Sequence, residues 1–213
     1  MMQDVITGLN DCSGFFLSMD TLFPIEPREN PPGFLYFPDF ISADEEKNLI
    51  QEIGNIGLHT FVFQGYEARR KVASFGYDYS FDKRSLTKGH EIPSSFFPLV
   101  NKVSEHTGIT TERFAELLIT EYPIGSVINW HRDAPPFDII AGISLLSDCT
   151  FKFRPHEKIK QTRGSIISAL LKRRSLYIIR DEARTSWQHS TAPVKNKRYS
   201  ITLRTLRAPA EKS

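Results

Sequence analysis

The sequence predicts an α+β fold, with helices near its N-terminal side packed on one sheet of a double layer of β-strands. Three observations lead to this class. Helix signals are confined to the stretch before Gly108. From Phe114 onward the chain breaks into short runs rich in Ile, Val, Thr, Phe and Tyr, set apart by turn or charged residues, a spacing typical of a sandwich or barrel core. A composition of 40% hydrophobic and 12% aromatic residues is enough to bury an ordinary core within 213 residues.

Residues 1–32 read as an N-terminal extension, because the run PIEPRENPPG holds four of the thirteen prolines and forms an extended connector. Residues 33–213 then make one domain. GFLYFPDF (33–40) supplies strand-type residues. Ser42 with Glu45 makes a capping box ahead of a helix through about residue 55, with Leu49, Ile50 and Ile53 on one face. A second helix starts at Ser94 or Ser95, turns Phe96, Phe97, Val100 and Val103 inward, and stops at Gly108. AELLITEY, SVINWH, DIIAGISLL, CTFKFR, SIISALL, SLYIIR and RYSITLR follow as strands.

The formal charge of +2 is too small to name a partner. Its distribution says more: Lys172, Arg173, Arg174, Arg180 and Arg184 cluster, as do Lys195, Lys197, Arg198, Arg204 and Arg207. Such clusters are either a solvated basic face or a polyanion-binding surface. Cys12 and Cys149 lie far apart and outside any CxxC or zinc-finger spacing, so a secreted disulfide scaffold is not expected. The N-terminus lacks a signal-peptide pattern, and no run of about 18 apolar residues predicts a membrane span. The expectation is a soluble, monomeric, cytoplasmic protein.

Chemistry enters with His131, Asp133 and His189. Two imidazoles and one carboxylate form the facial triad that holds non-haem Fe(II) with open positions. Zinc accepts the same donors, and a zinc hydrolase is the chemical alternative. His-x-Asp by itself is a weak signal. On an extended chain, however, alternate residues share a face, so both donors would point one way. In a double-stranded β-helix (jelly-roll), ligands at the end of an early strand and on a late strand converge inside the sandwich. Arg198 and Arg204 are an even number of positions apart in RYSITLR, so in one strand they too point one way. Two inward arginines would be costly without anions, and a dicarboxylate would supply them. The zinc reading leaves this pair unexplained.

Taken together, these elements resemble the AlkB group of Fe(II)- and 2-oxoglutarate-dependent dioxygenases. The likeness runs over roughly residues 34–207: Thr120-Glu121-Tyr122-Pro123-Ile124-Gly125, then His131-Arg132-Asp133, then Trp187-Gln188-His189, then Arg198-Tyr199-Ser200-Ile201-Thr202-Leu203-Arg204. Ser200 and Thr120 stand where the family usually has Asn; both donate hydrogen bonds with shorter reach. RRKVASFGYDY (69–79) resembles the family's nucleotide-recognition lid, placing a lid near 61–82.

The resemblance implies that His131, Asp133 and His189 bind Fe(II). It implies that Tyr122 and Arg198, with Thr120 and Ser200, hold 2-oxoglutarate, and that Arg204 lies near the metal-bound end of that co-substrate. With O2 as second co-substrate, the implied reaction is oxidative demethylation or dealkylation of N-alkylated nucleobases in DNA or RNA, as in repair of alkylation damage. The base would be flipped out or presented on a single strand. Arg69, Arg70 and Lys71 are expected to meet phosphates. Phe75, Tyr77 and Tyr79, which alternate, are expected to stack on a base that is often cationic, and Asp138 to offset its charge. The alternatives are a relative acting on tRNA or protein, or a non-catalytic nucleic-acid-binding module.

Overall fold

The computed structural model describes residues 29–63, 65–80 and 83–208. Most of the expected extension, and Cys12 with it, lies outside the described residues. The strands are β1 (Phe34–Phe37), β2 (His59–Phe63), β3 (Tyr66–Ser80), β4 (Ser85–Lys88), β5 (Phe114–Tyr122), β6 (Phe137–Leu145), β7 (Cys149–Pro155), β8 (Ile167–Leu171), β9 (Leu176–Ile179), β10 (Trp187–Thr191) and β11 (Arg198–Leu206). Helices α1 (Ala43–Gly54) and α2 (Phe97–Thr107) precede the main run of strands, and a short α3 (Asp181–Thr185) links β9 to β10. The main sheet runs β1-β9-β6-β11-β5-β3-β2, with β4 attached to β3, and a smaller sheet runs β10-β7-β8. Paired strands are antiparallel throughout. This is the expected jelly-roll with helices on one sheet.

Period-two alternation sorts the main sheet's side chains. Leu117, Ile119, Ala141, Ile143, Leu145, Leu176, Ile178, Ile201 and Leu203 form one face, which packs on Leu49 and Ile53 of α1 and Leu99, Val100 and Val103 of α2. Each Val, Leu or Ile among them contributes about 1.5–3 kcal/mol on burial, so this layer fixes the sheet's orientation. The opposite face carries Phe137, Ile140, Tyr177 and Ile179, which meet Phe151, Phe153 and Leu171 of the smaller sheet. The functional cavity opens between these two layers.

The Ser42–Glu45 capping box forms reciprocally, with Glu45 N donating to Ser42 Oγ at 3.1 Å and Ser42 N to Glu45 Oε2 at 2.7 Å. Gly108 ends α2 in the left-handed conformation, φ +70°. Phe97 corrects the expectation: it is 49% exposed, because α2 turns Phe96, Val100 and Val103 inward and position 97 off that face. SVINWH is not a strand either. Pro123 and the Gly125 turn (φ +80°) interrupt it before, and Pro135-Pro136 after. The segment is instead an extended loop tied to residues 189–194 by separate backbone bonds, including Gly125 N to Val194 O and Thr191 N to Ile128 O.

Candidate active site

β11 sets one wall. Tyr199, Ile201 and Leu203 face the helix layer, so Arg198, Thr202 and Arg204 face the cavity. Its neighbour β5 does the same, sending Glu116, Leu118, Thr120 and Tyr122 inward. The register places Arg198 opposite Tyr122, Ser200 opposite Thr120, and Arg204 opposite Glu116. Arg70, Val72 and Ser74 of β3 extend the wall, and Tyr177 and Ile179 of β9 close its far side. The enclosed volume is about 520 Å³, which lies within the usual range for a small-molecule site.

The second wall carries the metal-ligand types. His131 and His189 exchange backbone bonds, His131 N to His189 O at 3.0 Å and His189 N to His131 O at 2.9 Å. This bridge pins the donor loop to β10 and brings the two rings to 4.3 Å. One donor atom from each of His131, Asp133 and His189 lies within 4.8 Å of the others. His131 Nδ1 is 2.8 Å from the Asn129 carbonyl; donating there leaves Nε2 free as a ligand. Phe151 stacks on the His189 ring at 5.2 Å and fixes its plane.

Ionisation at the site follows from burial and neighbouring charge. Burial pushes the His189 imidazolium down to about 3, with the nearby His131 and arginines acting in the same direction. Burial likewise lowers His131. Burial alone would raise Asp133, but Arg204, the two histidines and Arg184 hold its carboxyl far below the usual range. At neutral pH the trio is therefore two neutral imidazoles and a carboxylate. Asp133 Oδ1 accepts from Arg204 Nη2 at 2.7 Å. Oδ2 is buried with no hydrogen-bond donor, 3.4 Å from His189 Nε2. Two acceptor atoms facing each other in a dry site are unfavourable unless a cation lies between them. The donor set fits a divalent metal.

Arg198 and Arg204 part company in their partners. Arg204 is held charged against the cost of burial by Glu116 Oε2 at 2.6 Å and by Asp133. The protein itself neutralises Arg204, so burial of that charge does not by itself call for a dicarboxylate, although its Nε is buried without a partner. Arg198 is 2% exposed, donates from Nε to Ser144 Oγ at 3.0 Å, and lies 4.9 Å from the Tyr122 ring centre. Among the described residues it has no carboxylate partner. Such a cation needs an anion from outside. Thr120 lines the cavity beside it, and Ser200 Oγ lies 3.5 Å from the Tyr122 hydroxyl.

The expected substrate residues divide. Arg70 lines the cavity, whereas Arg69 lies outside it, exposed against the Gly125 turn. The Phe75-Tyr77-Tyr79 stacking face does not form. Gly76 takes φ +83°, and its two backbone bonds to the 89–90 turn break the alternation there. Phe75, next to the cavity-facing Ser74, packs into the helix-side core by ordinary alternation; beyond the break, Tyr77 lines a separate shallow pocket beside Phe97, and of the three only Tyr79 reaches the main cavity. Asp138, at the start of β6, does not line the cavity.

Some site residues escape a sequence reading. Glu116 shares strand parity with Tyr122, a signal visible in AELLITEY. Tyr177 sits over Gly142, where any Cβ would collide with its ring. Arg184 of α3, 4% exposed, donates from Nη2 to the carbonyls of Asp133 at 3.2 Å, Ala134 at 2.8 Å and Phe137 at 2.8 Å, clamping the loop that presents Asp133. No local pattern marks that role.

A family model described as the 2OG-Fe(II) oxygenase superfamily matches residues 33–207. The chain belongs to that superfamily. Within it, this oxygenase is of the AlkB type. It is 28% identical over 173 residues to a mouse protein named tRNA (carboxymethyluridine(34)-5-O)-methyltransferase ALKBH8. It is 27% identical over 207 residues to an Arabidopsis thaliana protein named Alkylated DNA repair protein ALKBH8 homolog. The alignments take in 78% and 86% of this oxygenase but only 25% and 55% of those longer relatives. The solved structure of OsALKBH1 superposes with a TM-score of 0.64 over 84% of this chain and 99% of that one, at 14% identity, a likeness of fold. Fe(II) and 2-oxoglutarate are the cofactors this superfamily implies, and the His131–Asp133–His189 trio is compatible with the iron.

Proposed function

We propose that this oxygenase hydroxylates an alkyl C–H bond on a nucleobase in DNA or RNA, removing N-linked alkyl groups as formaldehyde or a higher aldehyde. The observation that carries the reading is a pair of unmet charges across one cavity. Asp133 Oδ2 and the neutral imidazoles await a cation on one wall, and buried Arg198 awaits an anion on the other. In this reading His131, Asp133 and His189 hold Fe(II), while Arg198 and the Tyr122 hydroxyl grip the distal carboxylate of 2-oxoglutarate. When bound, iron, 2-oxoglutarate and O2 supply the oxidant. The chain's own residues position and seal. Arg204 orients the Asp133 carboxylate, Arg184 holds its loop, and Phe151, Tyr177, Ile140 and Ile179 keep the cavity wall apolar and exclude water. The hairpin of β2 and β3, whose Thr60, Phe61 and Arg70 line the cavity, serves as the recognition lid.

Nucleic acid is favoured as substrate by the printed names of the relatives, one concerned with tRNA and one with alkylated DNA. Action on tRNA is the second reading, supported by the first of those names. The test is anaerobic titration of Fe(II) with 2-oxoglutarate, followed by mass spectrometry of alkylated DNA, RNA and tRNA oligomers incubated with ascorbate and O2. A weak visible charge-transfer band and loss of an alkyl mass from one class are expected. Folded protein with no band would end the oxygenase mechanism. A band without reaction on any nucleic acid, but with reaction on methylated peptides, would move the substrate to protein.

A further inference from the structure

Resting on the oxygenase reading, an inventory of charge leaves one cavity cation without a counterpart. Arg204 is matched inside the protein by Glu116 and Asp133. Arg198 is matched once a dicarboxylate binds. Arg70 has neither. Half-buried on the inner side of β3, its side chain makes no ion pair or hydrogen bond among the described residues, and its guanidinium lies 4.0 Å over the Phe61 ring. Val72, next on the same face, is paired with Thr120, so Arg70 stands beside the wall that carries Tyr122. Burial lowers its affinity for a proton, and the charge of Arg204 adds to that, so it stands in the same field as the site's other cations. The remaining lining carboxylate, Asp78, lies past the Gly76 break, is exposed, and does not pair with Arg70.

A guanidinium lying over an aromatic ring keeps five N–H donors in its plane, a fork shaped for carboxylate or phosphate oxygens. We propose that Arg70 seats an anionic group of the substrate, a carboxylate on a base substituent or a phosphate oxygen, next to the reacting base. Where that anion is carried on the base, the oxygenase favours it over a cationic base; where it is a backbone phosphate, the charge of the base is not selected. The chain's own cation occupies the Phe61 face that a cationic base would otherwise seek.

The experiment uses the full chain under anaerobic conditions with Fe(II) and 2-oxoglutarate saturating. Fluorescence anisotropy compares three RNA oligomers of one sequence. One base carries a carboxymethyl arm, the isosteric neutral carbamoylmethyl arm, or a cationic N-methyl group. Wild type is expected to bind the carboxymethyl oligomer about tenfold tighter than the carbamoylmethyl one, and Arg70→Gln to level them. If wild type binds all three alike, and Arg70→Gln weakens all equally while lowering the salt slope by about one, the anion is a backbone phosphate and the proposal stands.

Three results overturn it: Arg70→Gln binding every oligomer like wild type, the cationic oligomer binding wild type tightest, or Arg70→Gln raising the Kd for 2-oxoglutarate. If no oligomer binds wild type, the nucleic-acid reading falls by itself, and calorimetric titration with inorganic phosphate decides this proposal. Phosphate binding lost in Arg70→Gln upholds it; equal binding refutes it. Should Arg70→Gln fail to fold, Arg70→Lys is read the same way, with partial loss expected.

Discussion

Arg198 is the residue whose two roles can be separated by one substitution. Burying a guanidinium without a carboxylate costs stability, whereas gripping a carboxylate needs its charge. Arg198→Met keeps the volume and removes the charge, so it is expected to melt at or above the wild-type temperature. The same variant should bind 2-oxoglutarate about ten- to a hundredfold more weakly, the loss of a charge-assisted hydrogen bond. Calorimetric melting and titration on one preparation check both, and wild-type affinity in the variant would remove Arg198 from the co-substrate site. Arg198, Arg204, His131 and Asp133 were legible in the sequence because strand parity and HxD spacing are local signals, whereas the distant His189 was legible through the Trp187-Gln188-His189 element of the family pattern. Glu116 was half legible, through parity alone. Arg184 was illegible, since its contact with the Asp133 loop spans 51 positions and depends on how α3 lies against that loop.

At the scale of elements, runs of β-branched and aromatic residues between turn or charged residues located β5, β6 and β11, and alternation was left to assign their faces. It failed where backbone geometry broke the period. In β3 the left-handed Gly76 lets its N–H reach the His90 carbonyl at 2.6 Å, and a Cβ there would strike the Ala115 carbonyl. Gly76→Ala is accordingly expected to cost about 1–3 kcal/mol, from backbone strain and the forced shift of β5. Urea denaturation measures it, and a loss under about 0.5 kcal/mol would mean the bend is not needed. β10 and the loop before Asp133 were hidden for a different reason. They join through scattered backbone bonds fixed by the packing of two sheets, which no run of residues announces.

The whole molecule inherits an acid sensitivity from its site. The unfolded chain binds a proton at His189 near the ordinary value of about 6.5, whereas the folded protein does so only at about 3. Between these values the unfolded state holds more protons, so stability falls as pH falls, by up to about 1.4 kcal/mol per pH unit for one such group. Asp133, lowered in the fold, adds loss in the same direction below the ordinary carboxylate range. The metal-free protein should therefore show urea midpoints flat above about pH 6.5 and declining steadily below it. Midpoints constant from pH 7 to 4 would contradict the buried, neutral state of His189.

Arg204 takes up one oxygen of Asp133, which leaves that carboxylate a single atom to offer. A chelating carboxylate would crowd an ion from two directions; this one is restricted to one. With one nitrogen from each imidazole, the three side chains would offer a divalent ion three points of attachment and would leave its other positions to incoming molecules. How many oxygens Asp133 has to offer is thus set by an arginine on a strand that carries none of the three donor residues.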